Sequence, residues 1–413
     1  MSDPVAPSRA LPLALAGLVA LAVAMGIGRF AFTPLLPLML AERSVSLAGA
    51  SLLASANYFG YLVGALACTF QPWIATRLGW RATVDGPRWV RGGLVATVVL
   101  TLGMALDLPA LWPLLRFAAG VASAVVFLYT SGWVLEQLAR RGVPAMGALI
   151  YVGPGGGIVA SGLAASALVA LHVPAAAGWL TFGLLAAALT ALAWAVFDAR
   201  RGVPAPTVGA AAGGGRGDAA PATSGLGLGL LTLAYGLAGI GYIITATFLP
   251  VIARQALPQS HWLDLFWPLF GVGVMVGAVG ASRLPAGGDL RLRLAACYAI
   301  QAAGVAASLV SPTLAGFALG SLLLGLPFTA ITFFAMQEVR RLRPRQATSW
   351  MGLLTAMYGL GQIAGPPLAA GLVARSGNAA RGFALSLEIA CGLLVLGAAM
   401  YVVLERMHPM REG

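Results

Sequence analysis

The sequence predicts an all-α integral membrane protein with twelve transmembrane helices in two pseudo-symmetric six-helix bundles. Of its 413 residues, 59% are hydrophobic and only 9% are charged, whereas soluble domains average about 25% charged residues. Apolar runs alternate with short polar loops, and most runs reach the roughly 20 residues that one helical span requires. The chain is therefore expected to have lipid rather than water as its solvent.

Twelve apolar runs define the predicted helices in chain order. They lie at about 11–40, 47–76, 92–107, 109–135, 144–171, 176–197, 226–253, 262–282, 294–310, 313–337, 347–374 and 382–404. The first run contains Arg29 and is too long for the core of a signal peptide, so we expect it to be a retained helix.

The segment 200–225 divides the chain near its midpoint. It is rich in Gly, Ala and Pro and lacks a helical period, which is typical of a flexible linker, here on the cytoplasmic side. It separates a predicted N-terminal bundle at 1–199 from a C-terminal bundle at 226–413. A repeat supports this division. Five residues of the first run recur 213 positions later in the seventh run: Gly26, Ile27, Gly28, Leu36 and Pro37 as Gly239, Ile240, Gly241, Leu249 and Pro250.

The arginines predict the orientation of the helices. The chain has no lysine, and nineteen of its arginines fall in loops or tails on the side of the two termini, against four on the other side. Because positively charged loops stay in the cytoplasm, both termini are expected to be cytoplasmic. The abundance of Ala, Gly and Arg is typical of a GC-rich bacterium, so the expected location is the bacterial inner membrane. The net charge of +12 is then an orientation signal and not a nucleic-acid-binding patch.

Residues that enzymes use are scarce in this chain. Without lysine it cannot build a P-loop ATPase site or a Schiff base with pyridoxal phosphate. The three cysteines lie in apolar stretches, and the three histidines lie in loops or the tail without the spacing of metal ligands. No cofactor, metal centre or catalytic triad is expected, so the chain is predicted not to be an enzyme.

The loop after the second run resembles the D-R-x-G-R-R gating loop of the major facilitator superfamily of secondary transporters. Arg77, Gly79 and Arg81 match that pattern, while Thr76 stands where the family has aspartate. The resemblance implies that this loop forms part of a cytoplasmic gate.

Further motifs of this superfamily follow in the expected spans. Arg116, Gly120 and Ala124 are similar to the R-x-x-x-G-x-x-x-A motif of proton-coupled members. Gly153–Gly157 are similar to the G-P-x-x-G-G motif of antiporters, with Ile158 in place of its last glycine. The strings at 26–39 and 358–366 resemble the YbfB/YjiJ-type bacterial branch. The resemblance covers essentially the whole chain and implies alternating access of two bundles around a central cavity.

Two arginines inside the spans are the strongest candidates for a substrate site. Arg29 lies about 12 residues, or about 18 Å, from the outer end of its span, where a guanidinium costs at least about 2.5–3.5 kcal/mol. We expect it to bind an anionic or polar substrate in a wet cavity, or alternatively to form a structural pair. Arg116, about 10 Å deep, is expected either to contact substrate or to have a structural role, in which it snorkels to the membrane surface or locks two helices together.

Carboxylates that could couple transport to protons are few. Asp264, at the outer start of the eighth run, and Glu388, inside the twelfth, are the two candidates. Alternatively, Asp264 is a solvated charge at a helix N-terminus and Glu388 is structural, because the twelfth helix of this superfamily usually packs outside the cavity.

Neutral polar and aromatic residues complete the predicted site. With the two arginines, the expected substrate-binding residues are Asn57, Tyr58, Tyr129, Tyr151, Tyr242, Trp267 and Gln362. Each of them could instead pack or hydrogen-bond between helices. Tyr242 is the repeat mate of Arg29, so the site is expected to be positive on one side only.

The predicted function is secondary active transport of a small organic solute by a monomer. The preferred mode is proton-coupled export, which the motif resemblance implies, and the first alternative is proton-coupled uptake of an organic anion held by Arg29. A polytopic membrane enzyme and a transporter-like receptor are further alternatives.

Overall fold

The computed structural model describes residues 10–79, 85–198, 225–257, 260, 262–285 and 288–407. Over these residues the chain is helical, with no strand assigned. The α-helices, numbered in chain order, are α1 (Leu11–Leu21), α2 (Phe32–Ala41), α3 (Leu47–Arg77), α4 (Gly86–Gly103), α5 (Trp112–Arg140), α6 (Gly153–Ala170), α7 (Ala175–Trp194), α8 (Gly225–Ala256), α9 (Phe266–Arg283), α10 (Leu290–Val310), α11 (Leu314–Gly325), α12 (Phe328–Leu342), α13 (Ala347–Ser376) and α14 (Ala379–Met407). The predicted linker lies almost entirely outside the described residues.

Ten helical segments of the described chain are long and apolar enough to cross a membrane. Some of them join consecutive elements, such as Leu11–Ala41 and Leu314–Leu342. The predicted spans at 92–107 and 347–374 correspond to α4 and α13, which do not reach this level of apolarity. Two arginines in the first two turns of α4 and the polar residues of α13 lower their hydropathy. Helix α4 begins six residues before the start of the third predicted span and ends four residues before its end.

The first predicted span is a broken helix rather than a continuous one. After α1 the backbone widens into a π-helical segment, Ala22–Arg29, and a turn leads from there into α2. Such a segment leaves main-chain carbonyls without their usual partners. The side chain of Arg116 satisfies two of them, donating from Nη1 to the carbonyl oxygen of Gly28 at 3.1 Å and from Nη2 to that of Arg29 at 2.9 Å. The predicted span 313–337 is likewise divided, because α11 ends before Pro327 and α12 begins after it.

The first half of the chain packs directly on the second. Thr33 Oγ1 donates to the carbonyl oxygen of Ala246 at 3.3 Å, and these two positions are themselves 213 residues apart. The predicted repeat mates of α2 and α8 therefore meet each other. Helices α6 and α9 approach closely at two glycines, since a Cβ atom on Gly155 would lie 2.6 Å from the carbonyl oxygen of Gly271.

A network of four charged side chains ties α10 to α12 in the second half. Asp289 caps α10 and binds Arg291, which is itself 3.7 Å from Glu338 on α12. Glu338 is fully buried and also binds Arg341 at 2.7 Å. Burial alone would raise the pKa of the Asp289 carboxyl, but the hydrogen bonds and charge of Arg291 outweigh burial and lower it. The stability that Asp289 contributes is therefore present at neutral pH and lost only in acid, below the usual pKa of aspartate.

Gly277 of α9 marks a contact that tolerates no side chain. A Cβ atom there would lie 1.6 Å from the carbonyl oxygen of Leu326, between α11 and α12. Because backbone must move to relieve the clash, Gly277→Ala is expected to destabilise the protein by about 1–3 kcal/mol or more. A lower melting temperature and a lower yield of monodisperse protein in detergent would show this.

Gly280 provides the matched control for this substitution. It lies on the same helix one turn later, and a Cβ atom there would meet nothing within 4 Å. Gly280→Ala is expected to leave the melting temperature unchanged or to raise it, since alanine favours a helix over glycine by about 1 kcal/mol. Equal melting temperatures for the two variants would contradict the packing of α9 on α11 and α12.

Candidate functional site

Arg29 lies at the end of the π-helical segment, between the two halves of the chain. Its side chain is 4% exposed, and Nη2 donates to Oε1 of Gln362 on α13 at 2.6 Å. The guanidinium carbon sits 4.0 Å from the ring centroid of Tyr61 and 5.5 Å from that of Tyr58. Nε of Arg29 is buried without a hydrogen-bond acceptor among the described residues. The cation is thus held by a neutral amide and by aromatic rings.

Gln362 connects Arg29 to its repeat mate. While Oε1 accepts from Arg29, Nε2 donates to the hydroxyl oxygen of Tyr242 on α8. Both Gln362 and Tyr242 are buried. One amide side chain thus links the buried cation to its neutral repeat mate, and the one-sided charge of a substrate site stays a prediction.

Aromatic rings surround this hydrogen-bonded chain. Tyr242 stacks on Tyr358 at 5.8 Å between centroids and meets the ring of Phe328 edge-on at 5.3 Å. The hydroxyl of Tyr58 lies 3.0 Å from Oγ1 of Thr247, which adds a further link between the halves. Phe328 and Tyr358, like Tyr61, are only half-buried. Each of these three rings is therefore partly exposed.

Trp267 on α9 contacts further aromatic rings near Arg29. Its ring stacks on Phe270 at 5.0 Å and meets Phe30, the neighbour of Arg29, at 6.1 Å. Its indole Nε1 is buried with no acceptor among the described residues. The predicted residue Trp267 thus adds an unused hydrogen-bond donor beside the same aromatic cluster.

Arg116 and Asn57 hold the backbone next to Arg29 through hydrogen bonds. Arg116 is 2% exposed, and its two terminal nitrogens donate to the carbonyl oxygens of Gly28 and Arg29. Nδ2 of Asn57 donates to the carbonyl oxygen of Arg116 at 2.9 Å. The arrangement is that of a helix lock, which was the alternative to substrate contact for Arg116.

Tyr129 and Tyr151 lie in other surroundings. Tyr129 stacks on Trp89 of α4 at 5.9 Å, six residues beyond Ser123, whose hydroxyl donates to the carbonyl oxygen of Ala24. Tyr151 packs against Phe127 at 6.3 Å. Neither of these ring contacts involves Arg29, so the role of both tyrosines in a substrate site stays a prediction.

The two candidate proton carriers are not beside Arg29. Asp264 pairs with Arg254 at the end of α8, and Glu388 is exposed on the surface of α14. Of the ion pairs among the described residues, none includes Arg29. In the same part of the chain no group of three His, Cys, Asp or Glu side chains could hold a metal ion.

The predicted gating loop is described only in part. Arg77 lies 5.4 Å from the ring centroid of Trp73 on its own helix, and Gly79 adopts the left-handed conformation with a φ of +67°. Glycine tolerates that conformation better than other residues, which explains it at the turn. Arg81 lies outside the described residues.

Among the residues that contact the predicted site residues, Tyr61, Thr247, Phe328 and Tyr358 were not themselves predicted. Two of them carried a usable signal. Tyr61 follows Tyr58 by three residues and Tyr358 precedes Gln362 by four, so each shares a helical face with a predicted site residue. Thr247 and Phe328 had no comparable pattern in the sequence.

Comparisons with known proteins agree with this fold. The family described as "Uncharacterised MFS-type transporter YbfB" matches residues 21–402. A crystal structure of a mutant of the nucleoside transporter NupG is similar with a TM-score of 0.71 and 14% sequence identity, over 95% of this chain and 99% of that chain. No curated protein sequence matches the chain. The chain belongs to the YbfB-type family of the major facilitator superfamily, and it is a multi-pass membrane transport protein rather than an enzyme.

Proposed function

We propose that the chain is a secondary transporter that moves a small organic anion by alternating access, with Arg29 as the anchor for the negative charge. The observation that carries the proposal is the buried guanidinium of Arg29, which joins the two halves of the chain through the neutral amide of Gln362. A buried cation is strongly stabilised by an opposite charge, and a solute anion would provide it. The nucleoside specificity of NupG is not carried over, because 14% identity supports a shared fold alone.

The proposed architecture consists of twelve spans in two six-helix bundles, 1–199 and 226–413, joined by a cytoplasmic linker at 200–225. The ten apolar segments, together with α4 and α13, would form the twelve spans. The contact between the repeat mates Thr33 and Ala246 supports an axis that relates the two bundles. Rocking of the bundles about this axis would open the site to each side in turn.

Of the two transport modes that the sequence leaves open, the contacts of Arg29 favour an anionic solute. Proton coupling, for export and for uptake alike, would need a titratable group that both sides of the membrane reach. Asp264 is held by Arg254, and Glu388 faces away from the helix bundle. We therefore assign no proton step to either residue. The proposed driving force is the concentration gradient of the solute together with the membrane potential, or a proton gradient that acts through other residues.

The proposed orientation can be tested with single cysteines. In a background with Cys68, Cys297 and Cys391 replaced by alanine, the exposed positions Asn378 and Ser282 would each receive one cysteine. Asn378→Cys is expected to react with an impermeant maleimide on intact cells, because it lies in a loop of the arginine-poor side. Ser282→Cys should react only after the inner membrane is permeabilised, and the opposite pattern would reverse the orientation.

Transport itself is tested with purified protein in liposomes. A panel of organic anions, cations and neutral solutes would be offered with an imposed pH gradient, with an imposed membrane potential, and with neither. We expect accumulation of anions and not of cations, and a response to potential for a monovalent anion. Accumulation of cations alone would refute the proposal, as would the absence of flux for every solute.

A further inference from the structure

The edge of the Arg29 guanidinium formed by Nε and Nη2 is only partly hydrogen-bonded. A guanidinium presents two parallel N–H groups, on Nε and Nη2, and one carboxylate can accept from both. In Arg29 the Nη2 group donates to the amide oxygen of Gln362 at 2.6 Å, whereas the buried Nε has no acceptor among the described residues. Of the two donors, Nη2 is therefore hydrogen-bonded and Nε is not.

Two other arginines of the chain show how a carboxylate fills the same edge. Nε and Nη2 of Arg341 donate to the two oxygens of Glu338 at 2.8 and 2.7 Å. The same two nitrogens of Arg291 donate to the two oxygens of Asp289 at 2.9 and 2.5 Å. A single amide oxygen satisfies Arg29 less completely than either carboxylate satisfies its arginine.

We propose that Gln362 is a placeholder for the carboxylate of the transported solute, which is a monocarboxylate. The solute would displace the amide oxygen of Gln362 and accept hydrogen bonds from both Nε and Nη2 of Arg29. This inference rests on the anion transport proposed above and names its substrate class. The displaced side chain keeps its hydrogen bond to Tyr242 within the second half of the chain. Solute binding would thus remove one link between the halves.

The surroundings of Arg29 favour one negative charge over two. Arg116 is the other cation buried next to this segment, and its terminal nitrogens are committed to the backbone of Gly28 and Arg29. The guanidinium carbon of Arg29 lies over the ring of Tyr61, 4.0 Å from its centroid. A second carboxylate or a phosphate would meet aromatic rings, whereas an apolar or aromatic body would pack well against them.

A ligand-free test uses Gln362→Glu, which replaces the amide by a carboxylate of the same shape. In the presence of Arg29 the new carboxylate should fill both N–H groups, and Tyr242 can donate its hydroxyl hydrogen to the second oxygen. Gln362→Glu is therefore expected to raise the melting temperature of the protein with Arg29 and to lower it in an Arg29→Met background. Equal shifts in the two backgrounds would overturn the placeholder role. Gln362→Met, which lacks both polar atoms, supplies the uncharged reference.

The binding test uses benzoate and benzamide, which differ only in the charge and second oxygen of the carboxylate. Benzoate is expected to stabilise the wild-type protein against heat and benzamide is not. Gln362→Glu should weaken benzoate binding by at least about tenfold, because its own carboxylate occupies the edge of Arg29. Phthalate, with a second carboxylate, should bind more weakly than benzoate. Equal stabilisation by benzoate and benzamide, or unchanged benzoate binding in Gln362→Glu, would overturn the inference.

The two experiments separate this inference from the proposed function. Benzoate binding that survives unchanged in Gln362→Glu leaves an anion transporter in which Gln362 is not the placeholder. A background-dependent melting shift without binding or flux of any carboxylate would establish the contact between the introduced carboxylate and Arg29 and would refute the substrate class. Anion transport would be refuted only if no organic anion of the liposome panel were carried.

Discussion

Arg29→Ala is expected to abolish solute binding while leaving a folded protein in the membrane. The substitution removes a buried cation whose hydrogen-bond partner is a neutral amide, so the lost contact is offset by the relieved cost of burying charge. Truncating one partner of a buried charge contact weakens binding by about 2–5 kcal/mol, which corresponds to at least about thirtyfold in affinity. Melting temperature and solute affinity, measured on the same detergent preparation, would show the two effects separately.

Arg29→Lys is the conservative companion of that variant. Lysine keeps the positive charge but lacks the planar pair of N–H groups, so it should retain weaker binding than the wild type and more than Arg29→Ala. A structural role for Arg29 predicts instead that the alanine variant loses its stability first and aggregates before any transport is measured. Wild-type affinity in a monodisperse Arg29→Ala preparation would eliminate the anchor role.

Glu338→Ala is expected to be the most destabilising change outside the candidate site. Glu338 is fully buried between Arg291 and Arg341, and its removal leaves Arg291, only 3% exposed, with one fewer counter-charge. Breaking a buried ion pair in this way typically costs about 3–5 kcal/mol. The expected result is a large fall in melting temperature and in the yield of monodisperse protein.

Glu136 offers a matched control in the first half of the chain. It pairs with Arg140 near the end of α5, much as Glu338 pairs with Arg341 near the end of α12, but the side chain of Arg140 is 49% exposed. Exposed pairs contribute about 0.2–1 kcal/mol. Glu136→Ala should therefore change the melting temperature little, and comparable losses for the two variants would contradict the assigned difference in burial.

The depth of Arg29 and the repeat could be predicted from sequence because both depend on distance along one chain segment. Helical rise places Arg29 deep in its span, and the offset of 213 identifies Tyr242 as its mate. That Gln362 bridges these two residues could not be predicted, since it lies 333 residues from Arg29 and the contact depends on the packing of α13 against both halves.

The break after α1 likewise could not be predicted from the sequence of the first span alone. An apolar run with three glycines is compatible with a continuous helix. The donors that stabilise the freed carbonyls come from Arg116, 87 residues away from Arg29. The same contact explains why Arg116 was hard to assign. Its type and depth fit a substrate ligand as well as a helix lock, and only the position of its partners distinguishes these roles.

The division at Pro327 had a clearer signal. Proline lacks an amide hydrogen, and Gly325 lies two residues before it, so a helix end was foreseeable inside the predicted span 313–337. Its consequence for packing was not foreseeable. The carbonyl oxygen of Leu326 fits against Gly277, a residue of another helix, and that contact depends on the tertiary fold.

The most direct test of the central claim is counterflow in liposomes that contain the purified wild-type protein. Liposomes would be loaded with an excess of an unlabelled carboxylate, its matched carboxamide or its matched amine, and entry of the labelled carboxylate would be followed over time. Anchoring of the solute by Arg29 predicts that the internal carboxylate accelerates entry of the label, while the amide and the amine do not. Equal acceleration by the amide, or acceleration by the amine alone, would contradict an anionic solute at Arg29.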